Sequence, residues 1–322
     1  MLSRARIVDI VNAKLPEPEL KQALLELTPD RIDEQTLETF LVAMSETLAE
    51  GSDSIQRLGA DAVDCTGTGG SGLPHYNTST TVSFVLAAAG LKVLKCSNAG
   101  ASSRSGSFDF LSALGFPRHL PVSSVAELFE LNNLTFLFAP QFYPLLARLA
   151  PVRRELGVKT IFNFIGPLLN PGSPSYRVLG VSDRRMQRLI ADHICRTNAS
   201  TRTLVVRGED GADEFTVNGA TRVYEIVDRK LSETSHTMIC PMKPGQLDVK
   251  DNVRIFHDLI GGHDSQSCYY HMVCLNAGAA FKLTGRTETI ESGAQLCGKL
   301  LASGSVREKY EQARRSYARY IA

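Results

Sequence analysis

The chain has 322 residues, an apolar fraction of 43% and a formal net charge of +1, enough for one large domain plus a smaller one. Charge this balanced excludes general nucleic-acid or membrane-surface binding by bulk electrostatics, and no run approaches the roughly 18 apolar residues that span a bilayer. Seven scattered cysteines without a CxxC pair read as reduced thiols in a cytoplasmic protein without a zinc site, and the N-terminus lacks the apolar run of a signal peptide.

Residues 1–59 read as a small helical domain. "SRARIVDIVNAK", "EPELKQALLEL" and "DEQTLETFLVAMSETLAEG" place apolar residues at helical spacing, with Gly51 as the expected end of the third helix. From Ala60 short apolar strands alternate with helices. "DAVDC", "LKVLKC", "LTFLFAP", "YRVLGV" and "TRTLVVRG" are expected strands. "STTVSFVLAAAG", "SGSFDFLSALG", "SSVAELFELNN", "PLLARLAPVRRELG" and "RRMQRLIADHICR" are expected helices. The segment "TIFNFIGPLLNPGSP" has no period, strands recur between Asp213 and Ile239, and the last 70 or so residues read mainly as helix. This alternation predicts an α/β domain with a sheet covered on both faces.

Three stretches carry chemistry. "DCTGTGGSGLPHYNTSTTVSF" (64–84) runs from a strand into a helix. Its glycines let main-chain N–H groups approach a ligand and curl into an anion nest. The helix start adds unsatisfied N–H groups, and Asn77, Ser79, Thr80 and Thr81 add donors and caps. A structural turn with a Ser/Thr cap explains this run equally well when it is taken alone. It is neither a Walker loop nor a dinucleotide fingerprint. A second run, "KCSNAGASSRSGSFD" (95–109), weakens the structural explanation. Two such loops after adjacent strands face one crevice, the usual ligand site of α/β folds, and Lys95 and Arg104 would bring positive charge. The third stretch, "GEDGADE" (208–214), places Asp213 and Glu214 side by side. Beside a diphosphate site this pair suits Mg²⁺, which takes carboxylates and bridges to phosphates.

Together these motifs resemble the anthranilate phosphoribosyltransferase family over nearly the whole chain. The resemblance rests on "GTGGSG" with "NTST" (67–80), on 95–109, on "FLFAPQFYPLLARLAPVRRELGVKTIFNFIGPLLNP" (136–171) and on 208–214. It implies a nucleoside phosphorylase/phosphoribosyltransferase-like α/β fold: a small helical domain plus a large α/β domain whose central sheet is flanked by helices. The small domain would be 1–59 with helices from about 140–157, and the large one 60–139 with 158–322. It implies a homodimer that uses Mg²⁺ and 5-phosphoribosyl 1-diphosphate. The donor would be held by Gly67, Gly69, Gly70, Asn77, Ser79, Thr80, Lys95, Ser102, Ser103 and Ser107. The metal would lie on Ser79, Asp213 and Glu214, and the aromatic acceptor on Asn98 and Arg153. Asp213, Glu214 and Lys95 would be catalytic.

The departures cluster on the acceptor side. The family's HGNR is Cys96, Ser97, Asn98 and Ala99 here, and a histidine-containing segment is Gln141, Phe142 and Tyr143. Phe142 and Tyr143 are read either as packing against the acceptor ring or as ordinary core. The residues favour transfer to anthranilate in tryptophan biosynthesis. Another aromatic amine or N-heterocycle as acceptor, and a non-catalytic nucleic-acid-binding relative, stay as alternatives.

Overall fold

The computed structural model describes residues 2–12, 14–71, 76–98, 106–198, 201–242 and 247–320. The chain opens with α1 (Arg4–Val11), α2 (Glu17–Leu25), α3 (Glu34–Ser45) and the short α4 (Asp53–Gln56). Side-chain caps start α1 and α3: Ser3 accepts from the N–H of Arg6 and Asp33 from that of Thr36. α3 stops well before Gly51, against expectation. The hydroxyls of Ser45 and Thr47 bond back to the carbonyls of Val42 and Met44, so the last turn closes on its own side chains.

Then follow β1 (Ala62–Gly67), α5 (Thr78–Ala88), β2 (Lys92–Ser97), α6 (Ser107–Ala113), α7 (Val122–Asn132), β3 (Leu134–Phe138), α8 (Ala139–Phe142) and α9 (Pro144–Leu156). Two 3₁₀ turns, Ile161–Asn163 and Gly166–Leu168, fill the aperiodic segment. The rest is β4 (Tyr176–Gly180), α10 (Arg184–Thr197), β5 (Arg202–Gly208), β6 (Asn218–Val227), β7 (Lys230–Ile239), α11 (Val249–Ile260), α12 (Cys268–Leu283), α13 (Ile290–Ala302) and α14 (Ser305–Tyr317).

The strands form one sheet in the order β3-β2-β1-β4-β5-β6-β7. β1 to β5 run parallel and β6 and β7 antiparallel. The β6–β7 hairpin turns through Asp228 and Arg229, both at positive φ (50° and 58°), as a tight right-twisted hairpin requires. Residues 213–217, at the start of the expected strand run, belong to a loop instead, and the first strand of that run begins at Asn218.

α5 and α12 are buried on nearly every side and lie in the core. α12 meets α13 glycine to glycine: a Cβ on Gly278 would stand 2.3 Å from the carbonyl oxygen of Ile290. The N-terminal helices are tied to the sheet layer through α10, where Arg196 pairs with Glu34 at 2.5 Å and Arg185 donates to the carbonyl of Ile32 at 2.6 Å. α9 joins the same helical group, with Lys21 of α2 paired to Glu155 at 2.6 Å.

The cysteine reading needs one correction. Cys240, just after β7, is disulfide-bonded to Cys268 at the start of α12, while Cys65, Cys96, Cys195, Cys274 and Cys297 are free. The partners are 28 residues apart in sequence, and only the return of α12 beside β7 makes them neighbours.

Candidate active site

The chain leaves β1 for β2 and β3 on one side, then returns to build β4 and β5 on the other. Strand order therefore reverses at β1, and a crevice opens beyond the carboxyl ends of the strands. It is a cleft of about 220 Å³. Its polar wall includes Gly67, Gly69, Asn77, Ser79, Asn98, Ser107, Asp213 and Glu214. Leu146, Phe162, Ile165, Pro167 and Arg153 line it too.

The first loop turns through Gly69 (φ 71°) and Gly70 (φ 77°), conformations that favour glycine. The N–H of Gly69 donates to Asp213 Oδ2 at 2.6 Å. The acidic loop lies directly across the ends of β1 and β4. A Cβ on Gly67 would stand 2.2 Å from Asp213 Oδ2, and one on Gly180 1.6 Å from the Asp213 carbonyl oxygen. Missing side chains thus allow three segments to converge. Asp210 serves the loop itself, accepting from Ala212 N at 3.0 Å and Thr216 Oγ1 at 2.6 Å. Asp213 and Glu214 face the cleft.

Burial, and then the neighbouring Asp213, push the Glu214 carboxyl up to about 8. Two adjacent carboxylates at such a site fit Mg²⁺, which binds through one or two carboxylates and takes its other oxygens from phosphate and water. Among the described residues no group of three or more His, Cys, Asp or Glu could hold a metal by itself.

Three predicted donor ligands, Lys95, Thr80 and Gly70, do not line the cleft. Lys95 is wholly buried beneath it, where its ammonium donates to the Cys65 carbonyl (2.6 Å) and Ser79 Oγ (3.0 Å). Burial lowers its pKa, opposed by the buried Asp64. Its side chain points to the α5 face of β2, so its place is to hold Ser79 from below. Thr80 is also fully buried, one position along α5 from the cleft-facing Ser79. Gly70 sits outside the lining, its carbonyl accepting from Lys159 Nζ at 3.0 Å. Ser102, Ser103 and Arg104 fall outside the described residues. Ser107 begins α6, whose first turn is secured by the Gly106 N–H on Asp109 Oδ2 at 2.9 Å.

On the predicted acceptor side, Arg153 lies over the Phe162 ring at 5.6 Å and donates to the Phe162 carbonyl at 3.4 Å. Its Nε is buried without a hydrogen-bond partner among the described residues. Phe142 and Tyr143 are buried and do not line the cleft, so the core-packing reading holds. The apolar wall is built by Leu146, Phe162, Ile165 and Pro167 instead. Cys96 and Ser97 do reach the cleft.

Residues 59–307 match the family model described as "Glycosyl transferase family, a/b domain". The anthranilate phosphoribosyltransferase of Corynebacterium aurimucosum is 33% identical over 327 residues, covering 93% of each chain. This chain belongs to the anthranilate phosphoribosyltransferase family. The Burkholderia cenocepacia enzyme of that name is 39% identical over 265 residues, 78% of this chain and 74% of the other. The crystal structure of the Thermus thermophilus anthranilate phosphoribosyltransferase superposes with a TM-score of 0.84 at 31% identity, over 98% of this chain and 94% of that one. The Saccharomyces cerevisiae enzyme in complex with PRPP and Mg shares the fold, with a TM-score of 0.74 at 23% identity over 98% and 99%.

The motifs that mark this anthranilate phosphoribosyltransferase relative omit two buried asparagines. Asn276 of α12 accepts from the N–H of Phe215 (3.0 Å) and donates to its carbonyl (2.9 Å), pinning the residue after Glu214. A polar residue inside the apolar run "MVCLNAGAAF" was a readable signal, since a buried amide needs partners. Asn252 of α11, which binds Asn77, carried no such signal.

Proposed function

We propose that this chain transfers the 5-phosphoribosyl group from 5-phosphoribosyl 1-diphosphate to the amino group of anthranilate, releasing diphosphate, in tryptophan biosynthesis. One observation carries the reading. A guanidinium whose Nε is buried without a hydrogen-bond partner among the described residues shares a cleft with a glycine anion loop and an acidic pair.

Gly67, Gly69, Asn77, Ser79 and Ser107 supply the donor with fixed N–H and hydroxyl groups. Such groups stabilise the negative charge that grows on the leaving diphosphate without reorganising at that moment. Mg²⁺, held by Asp213 and Glu214 with Ser79 beside them, would add positive charge to the same leaving group. The Saccharomyces cerevisiae relative in complex with PRPP and Mg supports that choice of ion. Arg153 takes the acceptor carboxylate, and Leu146, Phe162 and Ile165 flank the ring. The neutral amine then meets an oxocarbenium-like anomeric carbon, and positioning does much of the work. We assign no general base. The helices of 1–59 and about 140–157 act as the small domain, in a cytoplasmic homodimer.

The test is mass spectrometry of products formed from the donor, Mg²⁺ and a panel of aromatic amines. A phosphoribosyl adduct of anthranilate with equimolar diphosphate is expected. An adduct only with a carboxylate-free amine or an N-heterocycle would overturn the acceptor assignment.

A further inference from the structure

We infer that Asn252 is a positioning residue for donor binding that acts through Asn77. The inference rests on the phosphoribosyltransferase reading.

Asn77 lines the cleft and stands at the N-terminal boundary of α5 without a side-chain capping bond. Its main-chain N–H and its side-chain Nδ2 both donate to one atom, Asn252 Oδ1, at 2.8 and 3.0 Å. The residues are 175 positions apart. Asn252 is itself completely buried, and its Nδ2 donates to the Asp248 carbonyl at 2.8 Å. Asp248 is the N-cap of α11, accepting from Asp251 N at 2.9 Å. The acceptor atom is therefore fixed to the first turn of a rigid helix.

That helix is anchored to both glycine-loop helices. Phe256 of α11 meets Phe84 of α5 at 5.5 Å and Phe110 of α6 at 5.7 Å. α11 thus sets the distance between the two helix starts that flank the cleft, and Asn252 sets the rotamer and main-chain direction of Asn77. An apolar residue of the same size would fill the volume but remove the one oxygen that accepts from both the main-chain N–H and the side-chain Nδ2 of Asn77, and the loop end would shift in response.

The test compares wild type, Asn252→Leu, Asn252→Asp, Asn77→Ala and the Asn77→Ala/Asn252→Leu double variant. Donor affinity is read by calorimetry with 5-phosphoribosyl 1-diphosphate and Mg²⁺, acceptor KM by steady-state kinetics, and folding by thermal melts. Asn252→Leu should weaken donor binding at least about tenfold, with acceptor KM within about twofold of wild type. Asn252→Asp keeps the accepting oxygen and should recover most of the loss. The double variant should be less impaired than the two single effects combined, because both act on one contact. A folded Asn252→Leu that binds donor like wild type sinks this inference alone. So do Leu and Asp variants equally impaired, with donor and acceptor constants rising together, since that is the mark of general loosening. Wild type that binds no donor sinks the functional reading, and this inference with it.

Discussion

Asp213 Oδ2 accepts the main-chain N–H of Gly69 at 2.6 Å, joining the acidic motif to the first glycine loop across 144 positions of sequence. The carboxylate holds the loop in its anion-ready curl, and a ligand that takes that N–H also frees a carboxylate oxygen. The proposed donor and metal sites are in this sense one unit.

The glycines under Asp213 differ in what they face. A Cβ on Gly180 meets a main-chain oxygen, whereas one on Gly67 meets the side-chain carboxylate first. Main chain cannot rotate aside. Gly180→Ala should therefore cost about 1–3 kcal/mol of stability by overpacking and remove most turnover, with Gly67→Ala milder in stability. Urea unfolding with kcat for each variant checks the order.

Asp213→Asn with Glu214→Gln should lower kcat by about 10²–10³, the usual cost of losing charge stabilisation at a reacting centre. Circular dichroism should stay unchanged. Near-normal kcat at saturating Mg²⁺ in the folded double variant would remove the metal assignment.

Glu214 makes stability depend on pH. Its folded value of about 8 lies above the unfolded carboxyl value of about 4.3. Between the two the folded chain keeps a proton that the unfolded chain has lost. This group's contribution to stability falls as pH rises through that window and levels off above about 8. Glu214→Gln should abolish the slope, so its gain over wild type grows from pH 5 to pH 8 in metal-free urea titrations. Parallel curves would refute the burial argument.

Arg153→Ala should reduce acceptor kcat/KM at least about tenfold, since charge-assisted hydrogen bonds contribute roughly 1.5–3 kcal/mol each and about 1.4 kcal/mol is a factor of ten. Donor affinity should barely move. Michaelis curves with anthranilate and with aniline separate the cases: only anthranilate should feel the change.

Opening the Cys240–Cys268 bridge should destabilise the chain by about 2–4 kcal/mol through freedom returned to the unfolded state. Dithiothreitol should lower the melting temperature of wild type and leave Cys240→Ser unaffected. Equal melts with and without reductant would show that the bridge is not closed in solution.

The sequence by itself determined most of the elements and which loops meet at the cleft. Strand–loop–helix punctuation is local, so "GTGGSG" after "DAVDC" already marks a glycine loop between a strand end and a helix start, and the adjacent carboxylates Asp213 and Glu214 stand out directly. The end of α3 was misread because hydroxyl back-bonding competes with a glycine stop. Tertiary structure decided the rest. Whether Lys95 and Thr80 meet the ligand or lie beneath it depends on which face of β2 and α5 packs inward, and both positions are polar in either case. Phe142 and Tyr143 are core because α8 leads into a helix packed on the N-terminal module, a contact no local pattern records. The hold of Asn252 on Asn77, the closeness of Cys240 to Cys268 and the glycine clearances around Asp213 arise only when distant segments meet. Hydrogen bonds and steric contacts act within a few ångströms of space, and spacing along the chain carries no measure of that distance.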